Sequence, residues 1–146
     1  MRLMLALALC LALAGIEGCG EDQSPLPGKG QWRIVNYWAI WCVPCREEIP
    51  ELNALNRDTP LVVLSVNYDN SKGEALLRQV RELGIEFPVL EQDPAPSLGL
   101  ERPRVLPTTL LVDPTGVVTD TLVGPQTQET LIAVWKTRLN AEDETL

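Results

Sequence analysis

The chain has 146 residues, with 12 Lys and Arg against 20 Asp and Glu, a formal net charge of −8, four cysteines and no histidine. The lack of histidine excludes Ser-His-Asp and Cys-His catalysis, zinc sites built on imidazole, and an imidazole pH switch. The negative charge and the lack of a Lys/Arg cluster argue against nucleic acid as a partner. A hydrophobic fraction of 45% with 22% charged residues is typical of one ordinary globular domain.

The first residues have the features of an export signal. Arg2 gives a basic start, and residues 3–13 form an almost unbroken apolar run. That run is too short for a bilayer span of roughly 20 residues, but it suits the core of a signal peptide. We therefore predict a signal peptide over residues 1–18 and an exported protein.

Two processing sites compete at the end of this signal. Residues 16–19 resemble the lipobox of bacterial lipoproteins, which would make Cys19 the lipidated N-terminus. An A-x-A site at residues 12–14 would instead release a soluble protein with Cys19 as a free thiol. We favour lipidation of Cys19, because an unpaired exposed cysteine is a liability in an oxidising compartment.

The next segment lacks apolar periodicity and is rich in Gly, Pro and Ser. Residues 19–30 are predicted to form a flexible tether, which leaves a single domain over residues 31–146. About eleven flexible residues reach roughly 20 Å. A lipid anchor would therefore hold the domain near a membrane surface.

The first half of the domain alternates strand and helix patterns. Residues 32–38 are rich in aromatic and β-branched side chains and predict a strand, followed by a helix starting between Cys42 and Cys45. Residues 61–66 predict a strand buried on both faces. Residues 71–74 fit a capping box, and Gly84 ends the helix that follows. This order predicts a parallel βαβ core.

The second half of the domain predicts a hairpin and a closing helix. Residues 108–112 form a strand, 113–116 a turn and 117–123 the returning antiparallel strand. Residues 140–146 predict an acidic, frayed tail. The last helix is predicted from apolar residues at helical spacing, namely Leu131, Ile132, Trp135 and Leu139. The fold class is therefore α/β with a mixed sheet.

Two thiols stand three residues apart where the first strand meets the first helix. Cys42 and Cys45 are close enough in sequence to form a small disulfide ring beside the unpaired amides of a helix N-terminus. These amides favour a thiolate, so the pKa of Cys42 should fall from about 8.5 into the range of roughly 3.5–7.5. Cys42 is the predicted nucleophile, and the deeper Cys45 would attack the mixed disulfide and release the partner.

Other functions of this pair are weaker. A zinc site needs four ligands, yet Cys10 and Cys19 lie in the signal and at its processing site. Arg46 stands where c-type haem attachment requires a histidine. A purely structural disulfide usually closes a longer loop. We expect no metal and no cofactor.

The motifs around the dithiol resemble the TlpA/ResA-type branch of thioredoxin-fold proteins over about residues 32–140. The resemblance rests on Asn36, Tyr37, Trp38, Ala39, Trp41, Cys42, Pro44, Cys45, Arg46, Glu48 and Pro50, followed by Leu106, Pro107, Thr108 and Thr109, and then by Val112, Asp113, Pro114 and Gly116. It implies a thioredoxin fold, with a parallel βαβ half and an antiparallel ββα half flanked by helices. The branch consists of exported or membrane-tethered thiol-disulfide reductants, often serving cytochrome c maturation or similar tasks.

The resemblance also implies roles for residues beyond the dithiol. Pro107 matches the proline that is cis in this fold and faces the dithiol, which would expose the backbone of Leu106 to an incoming peptide. Trp41, Pro44 and Thr108 complete the expected substrate-binding surface.

Glu48 matches an acidic position near the dithiol in this branch. It would relay a proton for Cys45, although a surface glutamate is an equally ordinary interpretation. Asn36 stands where many thioredoxins carry a buried aspartate, and an amide cannot titrate. Trp38 is expected in the core, and Arg46 as a solvated charge.

These observations predict a thiol-disulfide oxidoreductase of the bacterial envelope that reduces disulfides through Cys42 and Cys45. Its partners would be exported proteins with oxidised cysteine pairs, a membrane thiol reductant as electron donor, and the membrane surface through its anchor; a monomer is expected. Two other functions stay open. A disulfide-introducing oxidase would use the same dithiol at a more oxidising potential. A Cu(I) carrier could use both thiolates, but the two methionines, Met1 and Met4, both lie in the signal.

Overall fold

A computed structural model describes residues 24–143 of the chain, and the side chains of residues 24–141. The predicted signal peptide and Cys19 lie outside this part. The elements in chain order are β1 (Arg33–Trp38), α1 (Val43–Asp58), β2 (Val62–Asn67), α2 (Gly73–Leu83), a short 3₁₀ helix (Pro96–Leu98), β3 (Thr108–Val112), β4 (Val118–Val123) and α3 (Gln128–Asp143). Within residues 24–143, no helix has both the length and the apolar character needed to cross a bilayer.

The four strands form one mixed sheet in the order β2-β1-β3-β4. β1 runs parallel to β2, as the α1 crossover requires, and antiparallel to β3. β3 and β4 form the predicted antiparallel hairpin. The α/β class and the mixed sheet predicted from the sequence are confirmed. As an inner strand, β1 has every residue buried.

The side chains of β1 alternate between two apolar clusters. Ile34 and Trp38 face α1 and α3, where they pack with Ile49, Leu52, Leu55 and Leu131. Val35 and Tyr37 face the opposite side and pack with Leu26, Leu64, Leu110 and Val112. The sheet is therefore covered on both faces. Asn36 lies between Ile34 and Trp38 on the first face and is buried in the core beneath α1.

The start of α2 differs from the prediction. Lys72 is the N-cap residue and gives no side-chain cap, so the capping box predicted over residues 71–74 is wrong. Ser71 instead accepts a hydrogen bond from the side chain of Gln79 and donates its backbone N–H to Asn67. The predicted end is confirmed, since Gly84 adopts a left-handed φ of 65° that a side chain would disfavour.

The ends of the described region are more ordered than the sequence predicts. Ser24 and Leu26 are buried, although residues 19–30 were predicted to form a flexible tether. Ser24 accepts a hydrogen bond of 2.9 Å from the buried Arg33, and Leu26 completes the second apolar cluster. At the other end α3 continues to Asp143, so residues 140–143 are helical and not a frayed tail. At the N-terminal end, tertiary packing supplies order that local composition does not.

The packing of Leu26 leads to a stability prediction. Replacing Leu26 with Ala removes a side chain that is only 3% exposed, so the free energy of unfolding should fall by roughly 2–4 kcal/mol. The exposed Lys29, three residues away, is the matched control, and Lys29→Ala should change it by less than about 0.5 kcal/mol. Urea unfolding followed by tryptophan fluorescence measures both. Equal small effects would mean that the segment does not pack.

Candidate active site

The two thiols lie where the chain leaves β1 and enters α1. Cys42 is the N-cap residue of α1, and Cys45 lies in its first turn. The Cys42 sulfur accepts a hydrogen bond from the backbone N–H of Cys45 over 3.3 Å. At this position a serine or aspartate side-chain oxygen usually accepts a hydrogen bond from one of the unpaired backbone N–H groups of the helix. Here a sulfur accepts one of them, which favours negative charge on Cys42.

Cys42 and Cys45 form a disulfide, with their Cα atoms 5.3 Å apart. Cys45 is fully buried and Cys42 is nearly so. The residues on either side of Cys42, Trp41 and Val43, are each 62% exposed. The disulfide therefore lies just beneath a rim of exposed apolar side chains, and the partly exposed Pro44 belongs to the same turn.

The start of β3 comes to the same end of the sheet. β3 runs antiparallel to β1 and pairs Thr108 with Tyr37, close to the point where β1 ends. The Leu106–Pro107 bond just before it is cis, as the family resemblance implied. The carbonyl of Pro107 accepts from the backbone N–H of Gly124, and the Thr108 hydroxyl donates to the carbonyl of Val105. These bonds fix the loop before β3 to the end of β4.

Glu48 lies one helical turn after Cys45, and its carboxyl is buried between α1 and the sheet. Only 2% of the residue is exposed, so the surface interpretation of Glu48 is wrong. Its Oε1 accepts from Nδ2 of Asn36 over 2.6 Å, and its Oε2 accepts from the backbone N–H of Gln126 over 2.9 Å. The Nδ2 of Asn36 also donates to the Thr109 hydroxyl over 3.0 Å. A residue of β1 and the segment before α3 thus bind one carboxyl, and β3 contributes through its bond to Asn36.

The buried position changes how Glu48 titrates. Burial raises its pKa from the ordinary value of 4.5 to about 7, and the hydrogen bonds from Gln126 and Asn36 hold the pKa below what burial alone would give. A carboxyl with this pKa gains and loses a proton near neutrality. It can therefore accept a proton from a nearby thiol and return it.

Other predicted residues have simpler positions. Trp38 is fully buried and donates its indole N–H to Ser65, which confirms it as a core residue. Trp41 donates its indole N–H to the carboxylate of Asp69 on the loop after β2. Arg46 is exposed and lies 4.0 Å from Glu82, as expected for a solvated helix charge.

The sequence did not reveal the partners of Glu48. Gln126 lies 78 positions from Glu48 along the chain and contributes only a backbone N–H, which every non-proline residue has. No local pattern could have marked it. In the described region, no group of three or more Cys, Asp or Glu side chains is placed to hold a metal ion.

Comparison with known proteins places this site in a family. The family model described as "AhpC/TSA family" matches residues 18–121. This chain belongs to the AhpC/TSA family. Within it, the chain is 30% identical to the thiol-disulfide oxidoreductase ResA of Bacillus anthracis over 119 residues, which cover 80% of this chain and 67% of that relative. It is also 30% identical to the thiol:disulfide interchange protein HelX of Rhodobacter capsulatus over 135 residues, covering 85% and 76%.

Solved structures agree with this assignment. A DsbF homologue from Corynebacterium diphtheriae matches with a TM-score of 0.63 and 29% identity, covering 75% of this chain and 73% of that one. A thioredoxin-like structure from Neisseria meningitidis matches with a TM-score of 0.64 at 24% identity, over 80% of this chain and 79% of that one, and supports the fold. This AhpC/TSA member is therefore a TlpA/ResA-like thiol-disulfide oxidoreductase with a thioredoxin fold.

The raised pKa of Glu48 makes folding stability depend on pH. The folded protein keeps the proton until about pH 7, whereas the unfolded chain releases it near pH 4.5. The unfolded state therefore binds fewer protons in this window, and stability falls as the pH rises through it, by about 3 kcal/mol in all. Glu48→Gln should remove this loss in the oxidised protein. Urea unfolding at pH 5 and pH 8 measures the difference.

Glu47 provides the matched control, because it is exposed on the same helix turn. Glu47→Gln should keep the pH dependence of the unaltered protein. If Glu48→Gln lost as much stability between pH 5 and pH 8 as Glu47→Gln does, Glu48 would not be the group responsible.

Proposed function

We propose that this protein reduces disulfides in exported proteins of the bacterial envelope, with Cys42 as nucleophile and Cys45 as resolving thiol. The observation that carries this proposal is the position of the Cys42 sulfur at the N-terminus of α1, where it accepts the amide of Cys45. A sulfur in this position is stabilised as a thiolate, and the thiolate is the form that attacks disulfides.

The reaction follows from the arrangement of three groups. In the reduced enzyme the Cys42 thiolate attacks one sulfur of a substrate disulfide, and the other substrate sulfur leaves as a thiolate that takes up a proton. Cys45 then passes its proton to Glu48 and attacks the Cys42 sulfur. The bond between Cys42 and the substrate breaks, and the second substrate sulfur leaves as a thiolate that takes up a proton from solvent. One electron pair has moved to the substrate, and the enzyme holds the Cys42–Cys45 disulfide.

The buried carboxylate supports the reducing direction. Once Glu48 is ionised, its charge lies one helical turn from Cys45 and opposes a second negative charge on the dithiol. The disulfide carries no such charge. An ionised Glu48 therefore disfavours the reduced enzyme relative to the oxidised one and makes the dithiol a stronger reductant. The resemblance to TlpA/ResA-type reductants supports the same direction, with cytochrome c maturation or a similar task as the setting.

The surface for the substrate polypeptide surrounds Cys42. Trp41 and Val43 expose apolar area beside it, and Pro44 lies in the same turn. The cis bond between Leu106 and Pro107 turns the loop before Thr108 at this end of the sheet. An extended substrate segment can pair with the backbone of Leu106 while its cysteine meets Cys42.

We place the protein on the periplasmic side of a membrane, anchored through a lipidated Cys19. The five peptide steps from Cys19 to the buried Ser24 span at most roughly 18 Å. Ser24 binds Arg33 at the start of β1, and Cys42 follows the other end of that strand. An anchor at Cys19 would therefore hold the dithiol on the side away from the lipid. A membrane thiol reductant would restore the dithiol after each cycle.

Trapping tests the two cysteine roles. Cys45→Ser should accumulate mixed disulfides between Cys42 and exported proteins, because the bond can form but cannot be resolved. Non-reducing electrophoresis followed by mass spectrometry measures these adducts. Cys42→Ser is the matched control and should trap little, since Cys45 is buried. Both variants should lose catalysed insulin reduction. Equal trapping by the two variants would contradict the assigned roles.

The reduction potential tests the direction. At pH 8, Glu48→Gln should make the potential more oxidising by roughly 30 mV, which corresponds to about tenfold in the equilibrium with glutathione. Glu47→Gln should leave it within a few millivolts of the starting value, because that side chain is exposed. An unaltered protein near the oxidising end of the thioredoxin-fold range, about −120 mV, would instead indicate a disulfide-introducing oxidase.

A further inference from the structure

We propose that Asn36 is a positioning residue for Glu48. Its amide stabilises the carboxylate that accepts the proton of Cys45, and the amide rotates by a half-turn when Glu48 becomes protonated. This inference rests on the proposed role of Glu48 in the resolving step. It assigns a defined task to the residue that stands where many thioredoxins carry a titrating aspartate. Asn36 would perform this task by changing which of its side-chain atoms faces Glu48, since an amide does not titrate.

The geometry around Glu48 suits its ionised form. One carboxylate oxygen faces the Nδ2 of Asn36 at 2.6 Å, and the other faces the backbone N–H of Gln126 at 2.9 Å. Both neighbours are donors, so a proton placed on either oxygen along its present hydrogen bond would put two hydrogens against each other. A protonated Glu48 can donate its O–H to one of these two neighbours only if that neighbour becomes an acceptor.

Asn36 is the neighbour that can change. The N–H of Gln126 belongs to the backbone and has no acceptor to offer in its place. Asn36 is fully buried, and among residues 24–143 its Oδ1 has no hydrogen-bond partner. A half-turn of the amide would bring this oxygen to the place of Nδ2, where it has two lone pairs. One would accept the O–H of protonated Glu48, and the other the hydroxyl of Thr109, which now accepts from Nδ2.

The same exchange explains why the carboxyl titrates near neutrality. In the turned state the amide nitrogen takes the unpartnered position, and a buried donor without a partner is unfavourable. The protonated form of Glu48 is therefore disfavoured, which opposes the effect of burial. Asn36 in this way keeps a large fraction of Glu48 ionised at neutral pH.

The surroundings of Glu48 contain few other titrating groups. On α1 they are Cys45 one turn before it and Glu51 one turn after it, and Glu51 is bound to the backbone N–H of Gln128. β1 and β3 contribute the neutral Asn36 and Thr109. The segment leading into α3 contributes the amide of Gln126, and the first turn of α3 carries Glu129.

The proposed step is a proton transfer followed by thiol-disulfide exchange. The S–H bond of Cys45 breaks and an O–H bond forms on Glu48, while the Asn36 amide turns to accept that O–H. The Cys45 thiolate then forms the bond to Cys42, and the substrate thiolate leaves. When Glu48 later releases its proton to solvent, the amide turns back.

Nuclear magnetic resonance of the oxidised, unaltered protein tests the turn without any catalysis. Carbon resonances of the Glu48 carboxyl, followed over a pH series, give the pH midpoint of its titration. Above this pH, the side-chain amide hydrogens of Asn36 should show nuclear Overhauser contacts to Thr109. Below this pH, these contacts should be lost. Contacts that persist through the full titration would overturn the proposal.

Substitution tests the positioning role in the reaction. Asn36→Leu should raise the midpoint of Glu48 by about one pKa unit, lowering its ionised fraction at pH 7 from about half to about one tenth. Reaction of the reduced protein with excess Ellman's reagent reports both steps, because the first thiolate released follows attack by Cys42 and the second follows attack by Cys45. The second phase should slow about fivefold at pH 7 and recover at higher pH, while the first is unchanged.

Thr109→Val is the matched control, because it removes the other partner of Asn36 and leaves the bond to Glu48 in place. It should move the midpoint less than Asn36→Leu does. A second phase that slows equally at all pH values would show a merely structural role and overturn the inference. In the unaltered protein, a second phase independent of pH would instead contradict the proposed role of Glu48 itself.

Discussion

A single buried carboxyl links three parts of this fold to its dithiol. Glu48 extends from α1 into the space above β1, where it binds the Asn36 amide and the backbone N–H that precedes α3. The cost of burying a carboxylate is balanced here by donors on both oxygens, so its pKa lies near neutrality and not far above it. The same contacts that position α1 and α3 thus determine when the carboxyl carries a charge.

The two sulfurs differ because of their positions along one helix. Cys42 caps the helix and accepts an amide, so it gains stability as an anion. Cys45 is enclosed in the core and would face an ionised Glu48, so it gains stability as a neutral thiol. The proposed nucleophile and the proposed resolving thiol would thus differ in acidity because they lie one helical turn apart. In the disulfide form neither sulfur carries a charge.

The sheet brings the dithiol and the cis Leu106–Pro107 bond to the same end. Because β3 runs antiparallel to β1, its first residues lie beside the last residues of β1. The cis bond before Pro107 therefore lies near the thiols, though it is more than 60 positions away in the chain. The N-terminal segment packs at the opposite end, where Ser24 contacts Arg33. The proposed attachment site and the dithiol would thus lie at separate ends of one domain.

Much of the fold and the dithiol could be predicted from local sequence. The strand of residues 108–112, the turn after it, the end of α2 at Gly84 and the helix starting beside Cys42 all follow from patterns within a few residues. The spacing of Cys42 and Cys45 is itself a local feature. The position of Pro107 rested on family resemblance, since nothing local distinguishes a cis bond from a trans one.

The remaining features depend on contacts between distant residues. Leu26 and Ser24 looked like parts of a tether, yet the second face of the sheet buries them. Glu48 could equally have been a surface residue, because helical spacing gives its distance from Cys45 but not what covers it. The sequence by itself determined which atoms can exchange electrons. Only the tertiary structure decided the acidity of Glu48, because a buried carboxyl takes its acidity from neighbours that the chain brings together only on folding.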